Sequence, residues 1–255
     1  MIGLLGKKLG MTQIFDQNGK HVPVTVLEVG PCTILQVKKK ETDGYQAIQL
    51  GFGEKKESRT TKPELGHFKK CSSGSKRFVR EIRTENTEGL EAGKELQVNN
   101  FAVGDYVDVI GTSIGRGFQG VVKRHHFKGG ERGHGSMFGR VAGSIGASSF
   151  PSRVVKGMRM PGQMGSGRST IQNLRVEKIV LEQNLMAVHG AVPGPENGFL
   201  IVREAVKKRR PRKWRMPGEP LEELKVPEKK VPVSKVKKAE APKKKPAAAA
   251  PAKKK

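Results

Sequence analysis

The sequence holds two cysteines in 255 residues, Cys32 and Cys71. Two thiols so far apart suggest neither a disulfide framework nor a thiolate metal site. Long apolar runs are missing too. No stretch approaches the ~20 consecutive apolar residues that a membrane-spanning helix needs. The opening MIGLLGKKLGMTQIF places Lys7 and Lys8 after only a few apolar residues. It lacks the charged start and longer apolar stretch of a secretory signal, so a cytoplasmic location is expected. Hydrophobic residues, glycine not counted, make up only 35% of the chain. Part of the chain is therefore expected to belong to no core. Acidic residues are scarce, 24 against 49 lysines and arginines, for a net charge of +25. Such a chain repels itself when compact and calls for a polyanion. With the membrane set aside, that polyanion is a nucleic acid.

The excess charge is unevenly placed. Residues 207–255 carry a net of +14, and residues 112–170 a net of +9 with Glu131 as their single acid. The remainder, 1–111 and 171–206, is nearly balanced at +2 and reads as an ordinary β-rich domain. Short strand patterns occupy residues 22–29, 32–38, 45–52, 77–83, 95–101 and 106–113, then 173–181, 184–190 and 199–204. Gly30-Pro31 and Asp43-Gly44 mark turns between them. Even spacing of this kind predicts a sandwich or a barrel. Strands on both sides of 112–170 predict one barrel interrupted by a long excursion. Helix signals are weaker, at residues 118–124 and 61–70.

The excursion is too long for a simple loop, since structureless connections beyond ~12–15 residues are usually functional or disordered. Phe118, Phe127, Phe138, Phe150, Met137, Met158, Met160 and Met164 lie among its glycines and arginines, side chains a plain linker does not need. Arg116, Lys123, Arg124, Lys128, Arg132, Arg140, Arg153, Lys156, Arg159 and Arg168 can neutralise phosphates. His125 and His134 can stack or hydrogen-bond. The glycines let backbone N–H groups approach phosphate oxygens closely. An extended finger that orders on folded RNA fits this composition. A solvated flexible loop is the alternative.

Other chemistries find little support. Gly115-x-Gly117-x-x-Gly120 matches a dinucleotide or kinase glycine-rich loop, but the acidic residue expected about 20 positions later is missing. No kinase catalytic sequence accompanies it. His125, His126 and His134 lack the cysteine or carboxylate partners of a tetrahedral metal site. No nucleophile elbow or Walker sequence occurs. A non-enzymatic protein is expected, without catalytic residues, cofactor, metal or small-molecule substrate. After Glu204 the chain turns into KKRRPRKWRMP and then a Pro/Ala/Lys mixture, which cannot bury a core and is expected to be disordered when free. Arg209, Arg210 and Arg212 can contact RNA, and Trp214 can stack on a base or pack on the domain surface.

Several ordered motifs carry a family resemblance. Residues 1–15, Thr61-Lys-Pro-Glu-Leu-Gly-His-Phe, Gly111-Thr-Ser-Ile-Gly-Arg-Gly-Phe-Gln-Gly, Gly143-Ser-Ile-Gly, Pro161-Gly-Gln-Met-Gly and Gly190-Ala-Val-Pro-Gly follow in sequence. Over roughly residues 1–206 the chain resembles the bacterial large-subunit ribosomal protein L-three family. The resemblance implies a barrel like that of translation factors, with a small α+β insertion roughly over residues 55–93. It implies that residues 112–170 form a finger through large-subunit ribosomal RNA toward the peptidyl transferase centre. The finger's tip would be at Gly146, Ala147, Ser148, Ser149, Phe150 and Pro151. Lys7, Lys8 and Gln163 join the RNA-contacting residues on the same ground. Early assembly, neighbouring large-subunit proteins as partners and a place on the cytoplasmic ribosome are implied as well. Many bacterial members carry a methylated glutamine where this chain has Ser149, so that modification is not expected. A general nucleic-acid chaperone or compaction protein is the alternative function, which the polycationic tail alone would fit.

Overall fold

A computed structural model of the chain describes residues 2–208, apart from Gln17, Asn86 and Glu88. The protein is mainly β. Its strands are β1 (Gly3–Phe15), β2 (His21–Val29), β3 (Cys32–Lys38), β4 (Ala47–Glu54), β5 (Lys76–Arg83) and β6 (Glu95–Leu96). They continue with β7 (Tyr106–Thr112), β8 (Phe118–Gln119), β9 (Gly162–Gln163), β10 (Arg168–Val180), β11 (Leu185–His189) and β12 (Phe199–Glu204). Helices are short: α1 (Lys40–Asp43), α2 (Lys62–Lys70) and α3 (Val121–His125).

Six strands close into a barrel in the order β1-β12-β7-β10-β11-β2, all pairs antiparallel. Leu4 pairs with Val202 and Val202 with Val109. Leu27 pairs with Met186, and Val188 with Val176. Cross-strand partners share a face, and these side chains are fully buried, so they fill the interior. Each contributes roughly 1.5–3 kcal/mol by leaving water. Gly6 is needed where β1 crosses β2, because a Cβ there would lie 2.5 Å from the Glu28 carbonyl oxygen.

The opposite face of β1, β12 and β7 carries Leu5, Ile201 and Ile110, paired in that order. A four-stranded sheet, β5-β4-β3-β6, packs on this side. Its Ile34, Ile48, Leu50 and Ile82 join the barrel residues in one core cluster. Helix α2 covers the sheet's other face, where Phe68 and Cys71 bury against Leu35. The Glu64 carboxylate opens α2 by accepting the Thr61 N–H at 3.2 Å and the Lys55 ammonium at 3.1 Å. The Lys55 contact, then the Thr61 N–H, hold its carboxyl below the ordinary carboxylate range.

Several local expectations differ from this fold. Alternation marks β3, β4 and β5 as strands, but they build the second sheet rather than the barrel. That sheet reaches from Cys32 to Leu96, wider than residues 55–93. Residues 3–15 form the long β1, which the glycines at 3, 6 and 10 hide from propensity. Residues 95–101 give only a two-residue strand before a 3₁₀ turn over Val98–Asn100. The helix over 118–124 is confined to Val121–His125, because Phe118 and Gln119 are drawn into pairing with Gln163 and Gly162.

Candidate nucleic-acid interface

The basic excursion leaves the barrel at Thr112 and returns at Arg168, and these two residues pair directly. The two arms then run together as a stem. Ser113 N–H donates to Gly167 O (2.9 Å), Arg116 N–H to Met164 O (2.9 Å) and Met164 N–H to Gly117 O (2.9 Å). β8 and β9 extend this ladder. The glycine pattern at 115, 117 and 120 thus sits in an antiparallel stem. It does not follow a parallel strand and open a long helix, as a dinucleotide site requires.

Two predicted RNA ligands act inside this stem. Arg124 Nη1 donates to Met160 O at 2.7 Å, and His125 Nε2 lies 3.0 Å from the same carbonyl. Together they fasten α3 to the returning arm. Gly162 leaves room for the guanidinium, since a Cβ there would meet Arg124 Nη1 at 2.6 Å. His126 ends α3 in the left-handed conformation at φ 60°.

Lys8 lies at the root. Its ammonium donates to Val192 O at 2.9 Å and Gly194 O at 3.1 Å. Those carbonyls belong to the turn that seats against the root, where Gly194 at φ 95° has no room for a Cβ 2.8 Å from Thr112 O. Most of the ammonium's hydrogen-bonding capacity is therefore used within the protein. Lys7 is half-buried and lines a separate groove with Glu28, Glu54 and Arg77.

Arg116, Lys123, Lys128, Arg132, His134, Arg140, Arg153, Lys156, Arg159, Gln163 and Arg168 are exposed. None of these cations makes an ion pair among the described residues. The ion pairs found there, such as Lys38–Glu81 at 2.9 Å, all lie outside the excursion. Met137 and Phe150 are almost fully exposed at 89% and 88%, and Phe138 is also exposed. Residues 146–151 all face outward, with Ser144 Oγ donating to Gly146 O at 2.9 Å. Exposed apolar groups among uncompensated cations mark a surface that meets another molecule. No residue of 113–167 belongs to the two core clusters. Arg209, Arg210, Arg212 and Trp214 lie outside the described residues.

Sequence reasoning passed over one cationic group. Lys76, Arg77, Arg80 and Arg83 stand on β5 around Phe78. The spacing of basic residues about an aromatic was visible, but the apolar surface beside it comes from distant strands.

Comparison with known proteins completes the picture. A family model described as ribosomal protein L3 matches residues 81–183. The chain is similar to the large ribosomal subunit protein uL3 of Syntrophotalea carbinolica, 54% identical over 206 residues, covering 80% of this chain and 98% of that protein. It is 53% identical over 207 residues to the protein of the same name from Pelotomaculum thermopropionicum, covering 81% and 98%. With that from Brachyspira pilosicoli it shares 48% identity over 213 residues, covering 84% and 98%.

Proposed function

We propose, since the chain belongs to the ribosomal protein L3 family, that it is a structural component of the large ribosomal subunit and binds large-subunit RNA directly. The family is one of ribosomal proteins, not of enzymes, and this chain is not an enzyme. The observation that carries the RNA-binding role is the excursion over residues 112–170. Nine of its ten lysines and arginines are exposed, without an ion pair among the described residues. Such a surface in isolation has no counter-charge, and RNA supplies it in bulk.

In this reading the stem sets the direction of a finger threaded through folded RNA. Residues 146–151 lie at its tip, toward the peptidyl transferase centre. Arg116, Lys123, Lys128, Arg132, Arg140, Arg153, Lys156, Arg159 and Arg168 neutralise phosphates. Phe138 and Phe150 offer faces to unstacked bases. The finger positions RNA early in assembly beside other large-subunit proteins, on the cytoplasmic ribosome, and the basic tail adds affinity without reading sequence. Arg124, His125 and Lys8 serve by holding the stem and its root in shape.

The test is sedimentation of a cell extract after a high-salt wash. A superficial electrostatic coat loses most of its affinity between about 50 and 200 mM salt. A threaded component stays with the large subunit through the wash. Release to the top of the gradient would overturn this reading in favour of a general nucleic-acid chaperone.

A further inference from the structure

A second basic site lies outside the excursion, between β5 and the barrel. β5 is an edge strand of the second sheet. Between it and strands β7 and β12 runs a groove of about 690 Å³, lined among others by Phe78, Arg80, Ile110, Arg168, Phe199 and Ile201. A second hollow of about 450 Å³ shares Glu81, Ile110, Arg168 and Ile201 with it and continues past Arg83.

The groove combines two kinds of surface. Phe78 and Phe199 stack face to face at 4.9 Å with an interplanar angle of 10°. Each ring also carries a guanidinium: Arg80 lies 4.9 Å from the Phe78 centroid and Arg77 5.5 Å from that of Phe199. Arg80 spends one donor on Val79 O at 2.8 Å. Arg77, Arg80 and Arg168 have no ion pair among the described residues. Glu81 also lines the groove, but its charge is met by Lys38 at 2.9 Å. Lys38 first, and then Tyr45, hold its carboxyl below the ordinary range. The local balance is therefore positive beside an apolar wall.

We propose that this groove takes an unpaired nucleotide of large-subunit RNA, its base against the Arg80 guanidinium, the ring edges of Phe78 and Phe199 and Ile201, and its phosphates at Arg80 and Arg168. The proposal rests on the RNA-binding role given above and adds a contact that the excursion does not contain. Arginines laid on rings keep their N–H edges free for phosphate while giving up little conformational freedom. Unstacked bases are recognised by aromatic and guanidinium planes of this kind. Ile114, Gly115 and Arg168 line the same groove, so RNA following the stem reaches it without crossing acidic surface other than Glu81. An extended peptide added to the free edge of β5 is the competing occupant.

Two measurements on the full chain test this. In the first, Arg80→Ala and Arg140→Ala are each titrated with large-subunit RNA over a range of salt, with circular dichroism to establish folding. Loss of one phosphate contact in Arg80→Ala flattens the slope of log affinity against log salt by about 0.7. Unchanged slope in Arg80→Ala with weakened binding in Arg140→Ala overturns the groove and leaves the excursion's role standing. Unchanged binding in both overturns the RNA-binding reading as well. In the second, a photoreactive residue replaces Ile201 in reconstituted large subunits. Crosslinks to RNA are expected, and crosslinks to a protein, or none, overturn the proposal.

Discussion

Cys32 sits at 0% exposure, its Sγ 3.3 Å from Leu5 O and 3.4 Å from Leu5 N. Burial pushes its thiol up to about 12 from an ordinary 9.0. The folded state therefore holds the proton more tightly than the unfolded chain. That contribution to stability is present in full below about pH 9 and is lost as pH rises toward 12. Thiol reagents at pH 8 are expected to label Cys32 only at the rate of unfolding, and labelling at the rate of a free thiol would refute this. Lys8 makes a different case. The family resemblance assigns it to RNA contact, but its ammonium closes on Val192 O and Gly194 O. Lys8→Ala is expected to cost roughly 1.5–3 kcal/mol, as for hydrogen bonds from a charged group. Urea denaturation measures it, and a loss within error of zero would place Lys8 outside the structural framework.

At the level of elements, one carboxylate ties three strands together. Asp108 on β7 is 1% exposed. It accepts Asn173 N–H at 3.0 Å from β10 and Val206 N–H at 3.3 Å from just beyond β12, with Arg203 of β12 3.6 Å away. Removing it strands partly buried donors and a partly buried cation, so Asp108→Ala is expected to destabilise by about 3 kcal/mol. Thermal or chemical denaturation decides, and Asp108→Asn, which keeps an acceptor, is expected to lose less. The stem is an element of the same kind. Arg124→Ala removes the 2.7 Å bond to Met160 O and is expected to raise amide exchange in α3 without lowering the melting temperature of the barrel. A matching loss in the barrel would mean that the stem and barrel unfold together.

Across the whole molecule, core and charge are separated. The barrel and second sheet share one apolar cluster, to which residues 113–167 contribute nothing. Gln119 and Gly162 already pair across the stem, so a short Gly-Ser turn can replace residues 121–161 without opening the barrel. That deletion is expected to melt within about 5 °C of the full chain and to lose incorporation into large subunits, read by gradient sedimentation. A collapse of the fold would show that the excursion supports the barrel. Normal incorporation would remove it from RNA binding.

The sequence by itself determined that strands would dominate, that residues 112–170 would carry a net charge of +9, and which ordered motifs match the family. Alternation and charge are local properties, readable within a few neighbours. Alternation also shows that a segment is half buried, but not against what. For that reason β3, β4 and β5 were legible as strands while their membership of a second sheet was not. Lys8 and Val192 are far apart in the chain, as are Arg124 and Met160. Only closure of the barrel and pairing of the stem bring their atoms within hydrogen-bond reach. The groove beside β5 is likewise a product of packing, since Phe78, Ile110, Arg168 and Phe199 come from four strands in two sheets.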